Sequence, residues 1–287
     1  MGVNFIQKTF VSMISVMSMI VLGFGAMNAY GSEFNEAAPE ATVKEVEIKS
    51  QPAINLKVEE IVIDKFKGSD YISFDVTDPE FDTTECASAA ASILEGFSEF
   101  LDGFEFVSIH DDSTLRRGLS NGPQVYMLCM QDTEEFSNVL VHELGHTIDL
   151  MHMEGSDLYG RSSFMDFDDP VWSNDPSVKF YNISWVNESE IKSEANRRDF
   201  VSGYAMTDPF EDFAETFAMY VEYGEIFRFL IENEENSLLK DKYFFMKYVV
   251  FEGEEFGLDK EISLDAIKYF WTGTSDLFDV TKLHNLV

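Results

Sequence analysis

The stretch 142–146, His-Glu-Leu-Gly-His, has the residue types and spacing of a metal-dependent hydrolase. Residues four apart on a helix lie one above the other, so His142 and His146 can bind the same metal ion. Glu143 falls one position around the helix, where its carboxylate can reach a water on that ion. Two neutral nitrogen ligands, an open coordination position and a general base are the requirements of a zinc hydrolase. In the alternative interpretation, the two histidines only cap or pack a helix.

The flanking sequence predicts a strand, a short turn and a helix that carries the motif. Residues 124–130 are typical of a strand, and residues 134–152 have apolar side chains at helical spacing. Asp132 followed by Glu135 predicts a capping box at the start of this helix. This order of elements is how a zincin-type hydrolase builds its cleft. We expect residues 124–130 to form an edge strand that pairs with an extended substrate.

A catalytic zinc ion requires a third protein ligand, and His152 is one candidate. The histidines at 142, 146 and 152 have metzincin spacing, and residues 163–167 have the composition of a Met-turn. However, Asp149 stands where metzincins have a glycine that lets the chain turn sharply. In the alternative interpretation, His152 ends the helix and faces its dipole.

Glu211 is the second candidate for the third ligand, because a glutamate on a later helix has this role in the Glu-type zincins. Asp208 as N-cap, Pro209 at the first helical position and Glu211 at the third also form a capping box that needs no metal. Capping does not account for Glu215 one turn further on, so both roles stay open for Glu211.

Two stretches of the sequence resemble the lethal-factor-like Glu-zincins, which include the Pro-Pro endopeptidases and their bacterial relatives. The first is His-Glu-Leu-Gly-His-Thr-Ile-Asp at 142–149, which has the group's HExGHxxD pattern. The second combines Tyr204, seven residues before Glu211, with Glu-Asp-Phe-Ala-Glu-Thr-Phe at 211–217. The resemblance covers about residues 124–225 and accounts for Asp149.

The resemblance implies a role for each residue of the site. Zinc would be bound by His142, His146 and Glu211. Glu143 would be the general base, and Tyr204 would donate a hydrogen bond to the oxyanion. On this basis we prefer Glu211 to His152 as the third ligand.

Two further acidic residues are candidates to orient the histidine ligands by accepting the N–H of the ring nitrogen that does not bind the metal. Asp149 lies one turn past His146 and can accept an imidazole N–H, and Glu215 has the same option. The alternative for each is an ordinary acidic side chain on a helix surface.

The pattern along the chain predicts an α+β protein of zincin-like fold. A single catalytic domain is expected over 51–287, with a mixed β-sheet upper half at 51–152 and a mostly helical lower half at 153–287. Predicted strands lie at 54–67, 71–76 and 104–109, a helix at 87–101, a loop-rich stretch at 153–200, and helices at 209–223, 225–233, 237–251 and 261–270.

The N-terminal segment predicts export. Residues 1–31 are typical of a signal peptide, with an uncleaved membrane anchor as the alternative, and residues 32–50 are typical of a flexible acidic tether. The expected location is therefore secreted or periplasmic. In such a compartment Cys86 and Cys129 can form a disulfide; two buried thiols are the alternative.

The charge balance restricts the partners. The formal net charge is −33, with only 20 lysines and arginines. Such a chain repels nucleic acid and anionic membranes, so we expect a peptide or protein substrate, with no nucleic-acid partner and no membrane contact after leader removal. Asp166, Asp168 and Asp169 can hold calcium, although their spacing is not that of an EF-hand and a solvated acidic loop is the simpler interpretation.

These observations favour a secreted zinc metalloendopeptidase. The alternatives are a metzincin-type peptidase that uses His152, and a zinc-stabilised exported binding or effector protein without turnover. Glu143 argues against the last, because a purely structural zinc site has no use for a base beside an open position.

Overall fold

The structure is a computed structural model that describes residues 71–78, 80–233, 238–256 and 279–286. The predicted leader at 1–31, the tether at 32–50, the strands at 54–67 and the helix at 261–270 lie outside these residues. Within them, no helix is long and apolar enough to cross a membrane.

The described residues form a mixed α/β structure, which is compatible with the predicted α+β class. The helices are α1 Thr84–Gly96, α2 Thr133–Thr147, α3 Ser177–Ser184, α4 Pro209–Glu222, α5 Gly224–Asn233 and α6 Leu238–Phe245. The strands are β1 Ile72–Asp75, β2 Phe106–His110, β3 Gly118–Asn121, β4 Gln124–Leu128, β5 Arg161–Asp166, β6 Asp169–Trp172, β7 Trp185–Asn187 and β8 Glu190–Ile191.

The main sheet has the strand order β1-β2-β4-β3. β1, β2 and β4 run parallel, and β3 runs antiparallel to β4, with Leu119 opposite Tyr126. The expectation that residues 124–130 form an edge strand is therefore wrong, because β4 has a neighbour on each side. The strand at this edge of the described sheet is β3, whose short sequence Gly-Leu-Ser-Asn gives no alternating apolar signal.

The motif helix α2 fills the centre of the core. Its side chains Phe136, Val139, Leu140 and Leu144 are buried. The helical path continues after Thr147 as a π-helical turn, Ile148–His152, so the chain does not bend away directly after the second motif histidine.

The start of α2 is capped by only half of the predicted box. The Asp132 carboxylate accepts the backbone N–H groups of Glu134 and Glu135, as expected. The Glu135 carboxylate instead accepts a hydrogen bond from Arg117 at 2.7 Å, because Arg117 lies beside it at the entrance to β3.

The stretch 153–200 contains more regular structure than its loop-like sequence indicates. It forms two small antiparallel hairpins, β5–β6 and β7–β8, with α3 between them. Residues 163–167, considered above as a Met-turn, are instead the end of β5 and its turn residue Phe167, which has φ +50°. The prediction failed here because these strands are short and interrupted by polar residues.

A C-terminal segment, Val280–Leu286, forms a 3₁₀ turn against α2. Arg117 links the two, since its guanidinium donates to Glu135, to Asp279 at 2.8 Å and to the Thr281 hydroxyl. Residues separated by more than 160 positions in sequence therefore meet in one polar cluster.

The two cysteines form a disulfide between Cys86 in α1 and Cys129 just after β4. We predict that reduction lowers the free energy of unfolding by about 2–4 kcal/mol, because the bond closes a long loop in the unfolded chain. Urea unfolding with and without reductant measures this loss. The double variant Cys86→Ser/Cys129→Ser is the control, and equal sensitivity of the two proteins to reductant would contradict the prediction.

Candidate metal centre

Three predicted ligands converge in the structure. His142 and His146 are on α2, Glu211 is on α4, and one nitrogen or oxygen from each lies within 4.8 Å of the others. Glu211 Oε2 lies 3.2 Å from His142 Nε2 and 3.3 Å from His146 Nε2. Glu211 is 69 positions from His142 and 65 from His146 in the sequence. The packing of α2 against α4 is what brings these side chains together.

The spacing of these atoms fits a tetrahedral zinc site. Ligands about 2.0–2.1 Å from a tetrahedral centre lie about 3.3 Å from one another, which is the separation of Glu211 Oε2 from each imidazole nitrogen. Glu211 Oε2 is also buried and accepts no hydrogen bond of good geometry. Two imidazoles and one carboxylate are a donor set of catalytic zinc sites, which keep a fourth position open.

The electrostatics of the cluster keep the third ligand ionised. Burial alone would raise the pKa of Glu211, but the imidazoles of His142 and His146 against its carboxylate outweigh burial and hold this pKa below its ordinary value. Burial would lower the pKa of His142, and the neighbouring carboxylates of Glu211 and Glu215 raise it instead. Metal binding would therefore release protons from the imidazoles.

The start of α4 presents Glu211 to the histidines. Asp208 is the N-cap, and its carboxylate accepts the backbone N–H groups of Phe210 and Glu211. The Glu211 side chain does not complete a capping box; it points to the histidines and accepts the Tyr204 hydroxyl at 2.8 Å. The capping-box interpretation of the Glu211 side chain is therefore wrong.

Gly145 inside the motif allows the two helices to approach closely. A Cβ atom at this position would lie 3.0 Å from the Ala214 Cα atom and 3.3 Å from the Phe217 Cβ atom of α4. Both are tighter than ordinary carbon contacts, so a larger residue would push α4 and its glutamates away from the histidines.

Glu215 lies directly behind His142. Its Oε1 atom is 2.9 Å from His142 Nδ1, and its Oε2 atom accepts the backbone N–H of Val280 at 2.7 Å. The carboxylate is fully buried. A carboxylate on Nδ1 fixes the imidazole tautomer that leaves Nε2 free for a metal.

Asp149 is buried rather than on a helix surface. Its Oδ2 atom accepts the Tyr181 hydroxyl at 2.7 Å, and its Oδ1 atom is buried without a hydrogen-bond partner. Burial raises the pKa of Asp149 to about 8. The structure shows no hydrogen bond from His146 to this carboxylate, so its predicted orienting role stays a prediction.

Glu143 is buried beside the edge strand. The carboxylate packs against Gly118 of β3, where an added Cβ would lie only 2.5 Å from Glu143 Oε1. The sequence offers no sign of this contact, because Gly118 stands alone in a polar stretch. Gly118 thus sets the space in which the carboxylate moves.

The alternative ligand His152 lies outside this cluster. Its ring packs edge-on against Phe100, with the ring centroids 5.7 Å apart. Asp166, Asp168 and Asp169, considered for calcium, lie at the β5–β6 turn and do not appear in either group of convergent metal-binding atoms found in the described part of the chain.

Residues 125–237 match a family model described as "Putative zinc-binding metallo-peptidase". The matched stretch includes both motif histidines, Tyr204 and Glu211, and it supports a zinc-binding metallopeptidase family. No curated protein and no solved structure shows a significant match to the chain.

We predict that Glu215→Gln weakens zinc binding about 10- to 100-fold. The carboxylate has one oxygen against His142 Nδ1 and the other on the Val280 N–H, and an amide would turn its NH2 group towards one of these two nitrogens. Competition with a chromogenic chelator measures the affinity, with Glu225→Gln, an exposed glutamate of α5, as the matched control. Equal zinc affinities of Glu215→Gln and Glu225→Gln would contradict an orienting role for Glu215.

The contact of Gly118 with Glu143 yields a second prediction. Gly118→Ala should displace the carboxylate. With Glu143 in the general-base role predicted from the sequence, peptidase kcat/KM should fall about a hundredfold, because a misplaced catalytic group has a cost of that order. Zinc content should not change. Gly96→Ala is the control, since a Cβ there has nothing within 4 Å. Full activity of Gly118→Ala would contradict the prediction, because it would show that the added methyl group does not displace the Glu143 carboxylate from a position that activity requires.

Proposed function

We propose that this chain is an exported zinc-dependent metalloendopeptidase whose zinc ligands are His142, His146 and Glu211. The observation that carries the proposal is the convergence of these three side chains at tetrahedral spacing next to the buried Glu143. The family match supports a metallopeptidase at a coarser level. The resemblance of residues 142–149 and 204–217 to the lethal-factor-like Glu-zincins is a further ground for the proposal.

Each residue of the site has a part in peptide hydrolysis. When bound, zinc supplies a Lewis acid that polarises the scissile carbonyl and makes water reactive near neutral pH. Glu143 accepts the proton of the attacking water and passes it to the leaving amine. Glu215 holds the His142 ring in its ligating tautomer.

Tyr204 is suited to donate a hydrogen bond at neutral pH. Burial and the neighbouring Glu211 carboxylate raise the pKa of Tyr204 well above its ordinary value, so its hydroxyl keeps its proton. In the structure the hydroxyl donates to Glu211 Oε1. We propose that it turns to the oxyanion as negative charge develops there.

The substrate backbone would bind along β3 rather than along the stretch proposed from sequence. β3 lies at one edge of the main sheet. It begins at Gly118, which contacts the Glu143 side chain. An extended peptide added to this edge would pass beside the general base. Leu119, half exposed on β3, offers an apolar contact on the way.

Two observations support export. The Cys86–Cys129 disulfide is the pairing expected in an oxidising compartment, and residues 1–31 have the composition of a leader. The net charge of −33 favours a peptide substrate over nucleic acid.

The function is tested by incubating the zinc-loaded chain with a diverse peptide library and identifying the products by mass spectrometry. We expect cuts that disappear with a chelator and fall about 10²- to 10⁴-fold in Glu143→Gln, which removes the base and keeps the ligands. Zinc content of this variant is the control. Absence of cuts from a folded, zinc-loaded chain would favour a binding protein without turnover.

Tyr204→Phe separates the two roles open to this hydroxyl. For an oxyanion donor, kcat falls about 10²- to 10³-fold while zinc affinity stays constant. If Tyr204 only holds Glu211, zinc affinity falls instead and the fully zinc-loaded variant keeps its kcat. Tyr159→Phe, a largely exposed tyrosine, is the matched control.

A further inference from the structure

We propose a second site for a divalent cation, formed by Asp132 and Glu135 at the start of α2 and His284 of the C-terminal segment. One nitrogen or oxygen atom from each of these side chains lies within 4.8 Å of the others. The site shares no residue with the first centre and stands independently of the proposed peptidase function. Asp132 precedes His142 by ten residues, which is about 15 Å along a helix.

The imidazole of His284 is oriented for metal binding. Its side chain is only 6% exposed, and its Nε2 atom is buried without a hydrogen-bond partner of good geometry. Its Nδ1 atom lies 3.0 Å from the Thr281 carbonyl oxygen. An N–H at Nδ1 that donates to a backbone carbonyl leaves a lone pair on Nε2, the arrangement seen behind metal-binding histidines.

The neighbouring amide of Asn138 favours this tautomer. Asn138 Nδ2 lies 3.2 Å from His284 Nδ1, but it also lies 3.0 Å from the Tyr223 hydroxyl oxygen and 3.1 Å from the Thr281 carbonyl oxygen. An amide nitrogen has two hydrogens, and these two oxygens accept both. His284 Nδ1 is then the donor, and its Nε2 atom is the acceptor that faces the carboxylates.

Each carboxylate has an oxygen to offer. Asp132 caps α2 through Oδ1, and its Oδ2 atom lies 3.3 Å from His284 Nε2, the spacing of two ligands on one small ion. Glu135 uses Oε1 to accept from Arg117. Because Arg117 engages Oε1, the other carboxylate oxygen, Oε2, is the one we assign to the cation.

The charges around the site favour a cation. Arg117 faces Glu135 and Asp279, and Lys282 lies 3.6 Å from Asp279. These two cations balance Glu135 and Asp279, whereas the Asp132 carboxylate meets two backbone N–H groups and the His284 ring and has no lysine or arginine partner among the described residues. Half of the Asp132 side chain is exposed, which gives an ion access from solvent.

The ligand set indicates the class of ion. One imidazole nitrogen and two carboxylate oxygens suit zinc and its neighbours among the divalent transition metals, whereas calcium takes oxygen ligands only. An ion here would tie His284 to the start of α2. Val280 of the same segment donates to Glu215, so the ion would also hold the element that orients His142.

The test counts zinc ions per full-length chain after equilibrium dialysis, at free zinc about a hundredfold above the dissociation constant of the first site. We expect two ions in the unaltered chain and one in Asp132→Asn or His284→Gln. Asparagine is as good an N-cap as aspartate, so Asp132→Asn removes the ligand and keeps the helix start. Asp82→Asn is the matched control and should keep two ions, because the exposed Asp82 carboxylate likewise accepts a backbone N–H, that of Thr84, at the start of α1.

A second measurement isolates the new site from the first. In His142→Gln, zinc should still raise the unfolding temperature, and it should not do so in His142→Gln/Asp132→Asn. A single ion in the unaltered chain, or two ions retained in both Asp132→Asn and His284→Gln, would overturn the proposal and leave Asp132 and His284 as an ion pair. The count is also made in Glu143→Gln, so a failure of the peptidase proposal does not affect it.

Discussion

The close crossing of α2 and α4 at Gly145 is the constraint on which the metal centre depends. The two motif histidines and the glutamates Glu211 and Glu215 face each other only because nothing larger than hydrogen separates Gly145 from the backbone of Ala214. Burying carboxylates in such a contact has a large cost unless each meets a donor or a cation. Glu211 meets the two imidazoles, and Glu215 meets one imidazole and a backbone N–H.

The rotation of α4 about its own axis is fixed by a separate buried pair. Asp212 and Lys242 of α6 are both fully buried, with Nζ 2.6 Å from Oδ2, and Trp185 and Ser184 also donate to this carboxylate. Removing one partner of such a pair has a cost of about 3–5 kcal/mol, so this contact strongly favours one orientation. Successive helical residues differ by about 100° around the axis, so anchoring Asp212 on one side leaves Glu211 facing α2.

Sequence reasoning found the parts of this site that depend on local spacing. Helical spacing placed His142, Glu143 and His146 near one another, and the preference for Glu211 over His152 came from the resemblance to the Glu-zincins. Contacts that depend on packing were beyond it. The edge strand β3 carries no periodic signal, and whether Glu215 or Asp149 would stand behind a histidine required the relative positions of helices that the sequence does not give. The disulfide was one of two open alternatives for the same reason.

The edge strand β3, the motif helix and the C-terminal segment share one polar cluster around Arg117. This residue stands immediately before β3, and its guanidinium contacts Glu135 on α2 and Asp279 beside Val280. A shift of the C-terminal segment would therefore act in two places: on the Val280 N–H that holds Glu215 behind His142, and on the anchor of the strand that packs against Glu143. The orientation of the His142 ring and the position of the Glu143 carboxylate are thus linked through residues that are remote from one another in sequence, which is why neither motif alone defines the complete candidate centre.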